Sequence, residues 1–156
     1  MRVRVLWVGS TKERFIEEGI GKYLKLLKPY ADMRIEEIKE EKKKPVEAAL
    51  KAEGERILKR AEPFDGACKP FVLLEEKGKA MTSEGFAGFI KTKETVGRMD
   101  FVLGGAFGVS KEVRERASAR ISLSSMTLTH EMARLVFLEQ LYRAFTINAG
   151  KGYHHS

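Results

Sequence analysis

Hydrophobic positions along this chain follow two periods that alternate. Val3, Val5, Leu6, Trp7 and Val8 form a β-rich run that stops at Gly9. This predicts a buried first strand with its exit turn at Gly9-Ser10. Phe15, Ile16, Ile20, Tyr23, Leu24 and Leu27 then recur at helical spacing until Pro29, interrupted only by the weak helix formers Gly19 and Gly21. Met33, Ile35 and Ile38 predict a short strand. Pro45 suits the first turn of a helix that holds Ala48, Ala49, Ala52, Ile57 and Leu58 and ends near Arg60.

After a turn-rich connection at 63–70, Phe71, Val72, Leu73 and Leu74 read as a further buried strand, which the EEKGK segment leaves. Ser83 is the expected cap of a helix containing Phe86, Phe89 and Ile90. Phe101, Val102 and Leu103 form the next strand, and Ser110 caps a short helix to about Ala117. Residues 119–123 give the last strand and 131–145 the longest helix. Strands alternating with helices in this way predict an α/β fold, a mostly parallel sheet with helices on both faces. No linker or repeat divides residues 1–156, so a single domain is expected.

Charge adds a partner to this picture. The chain has 29 basic and 22 acidic residues, a net charge of +7, which favours an anionic partner, nucleic acid first. The run Lys39, Glu40, Glu41, Lys42, Lys43, Lys44 is either a solvated loop or a basic lip that meets phosphates. Cys68 is the only cysteine, which excludes an internal disulfide and argues against a thiolate metal site. No apolar run reaches the roughly 20 residues of a membrane span, and the N-terminus lacks a secretory pattern. A cytoplasmic protein is expected.

Candidate chemistry concentrates in the last third. Gly104, Gly105 and Gly108 follow a buried strand without forming GxGxxG or a Walker A motif. They make either a tight turn or a loop that lets a ligand approach the backbone. Leu123, Ser124, Ser125, Met126, Thr127, Leu128 and Thr129 alternate apolar and hydroxyl residues before a helix. As a loop they offer main-chain hydrogen bonds beside an apolar wall, which suits a flat aromatic ligand. His130 stands at the helix start. The helix itself is apolar most of the way round, through Leu135, Val136, Phe137, Leu138, Leu141, Tyr142 and Phe145, which points to a subunit interface. Glu139 and Arg143 are spaced to pair. Tyr153, His154 and His155 close the chain with groups able to position a base or move a proton, and two adjacent histidines make a poor metal site.

Leu74-Glu75, the glycines at 104, 105 and 108, the 123–128 loop before His130, the 139–144 EQLYRA segment and the terminal Tyr153-His154 together resemble the ribosomal RNA large subunit methyltransferase H family. That family belongs to the SPOUT class of knotted methyltransferases. The similarity runs from Val8-Gly9 to the C-terminal Tyr-His. It implies a C-terminal trefoil knot, an exception to the usual rules of chain connection. It also implies S-adenosyl-L-methionine as cofactor, held by Leu74, Gly104, Leu123, Ser124, Ser125, Met126, Thr127 and Leu128, and a homodimer. The implied reaction is methylation of N3 of a pseudouridine in 23S rRNA on the assembled ribosome, without a metal. His130, Arg143, Tyr153 and His154 are expected around the target base, with His154 or His130 accepting the proton. Alternatives are another RNA target, such as tRNA, or a non-catalytic ribosome-binding protein. The chain departs from the family pattern at Thr129, where the family usually carries proline.

Overall fold

A computed structural model describes residues 1–61 and 71–155, without the side chains of His154 and His155. The expected connection at 63–70, with Cys68, lies outside the described residues. Five strands, β1 (Arg2–Val8), β2 (Asp32–Ile38), β3 (Val72–Ala80), β4 (Arg98–Leu103) and β5 (Ala119–Ser122), form one sheet in the order β2-β1-β4-β3-β5. Every pairing is parallel. The helices are α1 (Arg14–Leu27), α2 (Val46–Ala61), α3 (Ser83–Lys93), α4 (Lys111–Arg116) and α5 (His130–Asn148).

The helices cover both sheet faces, and the strand sequences reflect it. Val3, Val5 and Trp7 of β1 and Met99, Phe101 and Leu103 of β4 point into one core, shared with α1, α3 and α5. Leu6, Val8, Val102 and Leu73 point into the other, closed by Ile57 of α2 and Val113 of α4. A strand buried on both faces reads as a continuous apolar run, not an alternating one. β2, at the sheet edge, alternates exposed and partly buried residues instead.

Two elements differ from the expectation, and a third was not foreseen. β3 does not end at Leu74. It runs to Ala80 with a register shift against β5 after Leu74. A Cβ on Gly78 would lie 2.5 Å from the carbonyl carbon of Ile121, so only glycine permits this close pairing. Lys77 and Lys79 therefore belong to a strand, not to an exit loop. The cap of α3 is Thr82, whose hydroxyl accepts from the Gly85 amide at 3.0 Å. Ser83 instead donates to Gln140 Oε1 at 2.8 Å. The chain end folds as a short 3₁₀ turn, Gly152–His155, seated on α5 through Tyr153, whose ring lies 4.7 Å from that of Tyr142. None of the described helices is long and apolar enough to cross a membrane.

Candidate active site

The middle of β3, where its pairing with β4 ends, the carboxyl end of β4 and the segment after β5 enclose a cavity of about 600 Å³. This is where open parallel sheets bind ligands, and its size suits a small-molecule cofactor. Leu73, Leu74, Leu103, Val109, Leu123 and Leu128 supply apolar wall. Glu75, Arg114, Thr127 and His130 supply polar groups.

The 104–108 segment is a tight turn. The Gly108 amide donates to the Gly105 carbonyl at 3.1 Å, and Gly108 has φ +83°. A Cβ at Gly104 would stand 2.5 Å from the Gly108 carbonyl oxygen. The bare backbone is thus a steric requirement, and it lines the cavity. Ser110 caps α4 as expected, accepting from the Val113 amide at 3.4 Å.

The 123–128 loop is shaped by its own hydroxyls. Ser122 Oγ donates to the Ser124 carbonyl at 2.8 Å, and Ser124 Oγ accepts from the Met126 amide at 2.9 Å. Such local bonds set a turn without regular secondary structure. Leu123, Ser124, Met126, Thr127 and Leu128 line the cavity, whereas Ser125 is exposed and does not. Thr129 caps α5, accepting from the Met132 amide at 3.2 Å, and this places His130 on the cavity wall.

The chain does not gather all four expected base-contacting residues. His130 is at one end of α5, and Arg143 is thirteen residues further along it, about 20 Å at the helical rise per residue. At that end Arg143 Nη2 pairs with Glu139 Oε1 at 2.6 Å, and its guanidinium lies 4.9 Å from the centre of the Tyr153 ring. Tyr153 donates its hydroxyl to Glu139 Oε1 at 3.3 Å and faces the Tyr23 hydroxyl at 3.5 Å. Burial, the Tyr23 contact and the Glu139 charge push the Tyr153 phenol well above its ordinary pKa. The backbone of His154 continues the same turn; its side chain is outside the described atoms.

Two sets of contacts around the cavity have no signal in the sequence. Glu75 accepts from Arg114 Nε at 2.8 Å and from Arg120 Nε at 2.5 Å, tying α4 and β5 to β3 beside the cavity. Behind His130, Arg134 is fully buried. It donates to the Val8 carbonyl at 2.6 Å and the Thr11 hydroxyl at 2.9 Å, and it lies 4.9 Å from the Trp7 ring. Glu131 Oε1 accepts from the Lys12 and Glu13 amides at 2.7 and 3.0 Å. Burial raises the Glu131 pKa, but those amides, with His130 and Arg134, outweigh it and hold the carboxyl below its usual range. The first turn of α5 thereby clamps the β1–α1 loop. Partners 118 to 126 positions apart leave no local pattern to read.

Comparison with known proteins follows the same outline. A family model described as "Predicted SPOUT methyltransferase" matches residues 1–154. A protein of Geotalea daltonii named Ribosomal RNA large subunit methyltransferase H is 44% identical over 157 residues, covering 99% of this chain and 100% of the relative. Proteins of the same name are similar at 43% in Carboxydothermus hydrogenoformans and 44% in Thermodesulfovibrio yellowstonii, each covering 99% of both chains.

Proposed function

The chain belongs to the SPOUT methyltransferase family, and from that premise we propose that it methylates N3 of a pseudouridine in 23S rRNA of the assembled ribosome. The observation that carries this reading is the cavity whose floor is the turn at Gly104, where no side chain fits, and whose walls include Leu74 and residues of the 123–128 loop. Its apolar wall beside main-chain polar groups suits the adenine and thioether parts of S-adenosyl-L-methionine. That cofactor, when bound, supplies an activated methyl group on a sulfonium. The names of the full-length relatives support the large-subunit rRNA as substrate, and the net charge of +7 suits it. A cytoplasmic site of action follows from that substrate. The family also carries the expectation of a trefoil knot in the C-terminal part.

The residues then take distinct tasks. The target N3 carries a proton at neutral pH and must lose it as the new N–C bond forms. His130 on the cavity wall and His154 on the tail are the candidate acceptors. Tyr153, with its pKa raised, stays protonated and acts as a donor or a stacking face. Arg143, oriented by Glu139, meets phosphate or the negative charge that develops on the base. Because Arg143 and Tyr153 stand at the far end of α5, we place them in the site of a second copy, in a homodimer. Support comes from Val136 of α5, which is only partly buried and packs against neither core within one copy.

The deciding experiment is transfer of labelled methyl from S-adenosyl-L-methionine to ribosomes lacking the modification, with free 23S rRNA and tRNA alongside. Label confined to ribosomes supports the reading. Label in tRNA or free RNA changes the substrate, and absence of both transfer and cofactor binding leaves a ribosome-binding protein.

A further inference from the structure

A second cavity of about 240 Å³ adjoins the first and has no part in the reaction described above. The two share Gly105, Ala106 and Phe107 as a common wall. Phe107 is 70% exposed on this ridge. A large aromatic ring left open between two cavities adds little to the fold, because its apolar area stays in water.

The opposite wall is the charged 39–44 segment, and it is anchored. Arg56 donates to the Lys39 carbonyl at 2.8 Å and to Glu41 Oε2 at 3.0 Å. The buried Glu53 carboxylate accepts from the Glu41 amide at 2.9 Å. Glu40, Glu41 and Glu53 also line this cavity, but each has a partner: Glu41 pairs with Arg56, Glu53 holds the Glu41 amide, and Glu40 lies 3.9 Å from Lys42 Nζ. Lys42, Lys43 and Lys44 remain exposed, and Lys42 and Lys44 line the cavity. An exposed ring face opposite lysines carried on an anchored segment is a combination that binds single-stranded nucleic acid: the base stacks and the cations follow the backbone.

We propose that the second cavity is a nucleotide subsite, in which a base neighbouring the methylated one stacks on Phe107 while its flanking phosphates meet Lys42 and Lys44. This rests on the reading that the substrate is RNA. Because the two cavities share a wall, a strand seated in the smaller one presents its adjacent nucleotide to the larger. The anchored 39–44 segment is then the lip that sets the register of the strand.

The test uses full-length protein, ribosomes lacking the modification, and oligouridylate as a direct probe. Ultraviolet crosslinking of oligouridylate, mapped by mass spectrometry, is expected at Phe107. F107A is expected to raise KM for ribosomes roughly tenfold, as loss of one stacked base does, and F107Y to restore it. K42A/K44A should lower the slope of log affinity against log salt by about 1.4, two single-strand phosphate contacts. Its affinity for S-adenosyl-L-methionine without RNA should be unchanged. Crosslinks elsewhere, with KM and salt slope unchanged, overturn the subsite while wild-type methyl transfer leaves the enzyme reading standing. Conversion of a dimer to a monomer by F107A, without any crosslink at Phe107, assigns the ridge to a second copy and overturns the subsite as well. A crosslink at Phe107 in a protein that methylates no RNA keeps the subsite and removes the enzyme reading.

Discussion

Gly104 has no room for a side chain, since an added Cβ would meet the Gly108 oxygen at 2.5 Å and Val109 Cγ1 at 2.9 Å. Both neighbours belong to the turn that floors the cavity. G104A should therefore displace that turn and weaken S-adenosyl-L-methionine binding at least tenfold by calorimetry, with the far-ultraviolet circular dichroism retained. Glu131 makes a different prediction, because its work is electrostatic. Its carboxylate accepts two amides of the β1–α1 loop and has a pKa held below the ordinary value of 4.5. A depressed carboxylate stabilises the fold above its unfolded pKa and loses that contribution as pH falls through the folded value. E131Q keeps an acceptor but no charge, so it should cost about 1–2 kcal/mol at pH 7. The deficit should close toward pH 3, as read from denaturant melts across pH. In the sequence Glu131 is merely an acid in a first helical turn, and nothing in it indicates the loop it holds.

At the scale of elements, most of the fold was legible because burial on two faces writes itself into composition. The runs at 3–8, 71–74 and 101–103 announced central strands, and Ser110 announced a helix start. The extension of β3 was not legible, because Glu75, Glu76, Lys77 and Lys79 are charged and the pairing of Lys79 and Ala80 with β5 requires a bare backbone at Gly78. The loop before α5 stood out in the sequence and lines the cavity, but its construction, in which Ser124 uses its hydroxyl on the loop itself, was not legible. Thr129 separates rigidity from capping. Its φ of −61° is already that of proline. T129P would remove the bond to the Met132 amide, at a cost of about 1 kcal/mol. Restriction of the unfolded chain offsets about 0.4–1 kcal/mol of that. Stability should thus change little, while a less mobile 123–128 loop binds S-adenosyl-L-methionine roughly twofold to fivefold more tightly. A large loss of stability, or weaker binding, would show that the threonine hydroxyl matters more than loop stiffness.

For the whole molecule, the two ends of α5 pose the remaining question. The sequence grouped His130, Arg143, Tyr153 and His154 by chemistry, but a continuous helix holds the first about 20 Å from the second. No rotamer change spans that length, and the tail is fastened to its own helix by the Tyr153 contacts with Tyr142, Glu139 and Arg143. On the proposed reading, another copy brings a tail to the cavity without unfolding that end. Complementation then has a definite expectation. G104A disables the cavity of its own chain, and H154A disables the tail. Each homodimer should transfer methyl groups slowly, G104A through lost cofactor affinity and H154A with cofactor affinity intact. In a mixed dimer one of the two sites joins a normal cavity to a normal tail, so mixing and re-equilibration should restore up to half the wild-type activity per heterodimer. If the sites were complete within one chain, every site in the mixture would carry one defect and activity would stay at the level of the parents. Subunit exchange followed by mass spectrometry establishes that heterodimers formed, so a lack of recovery in their presence counts directly against a shared site.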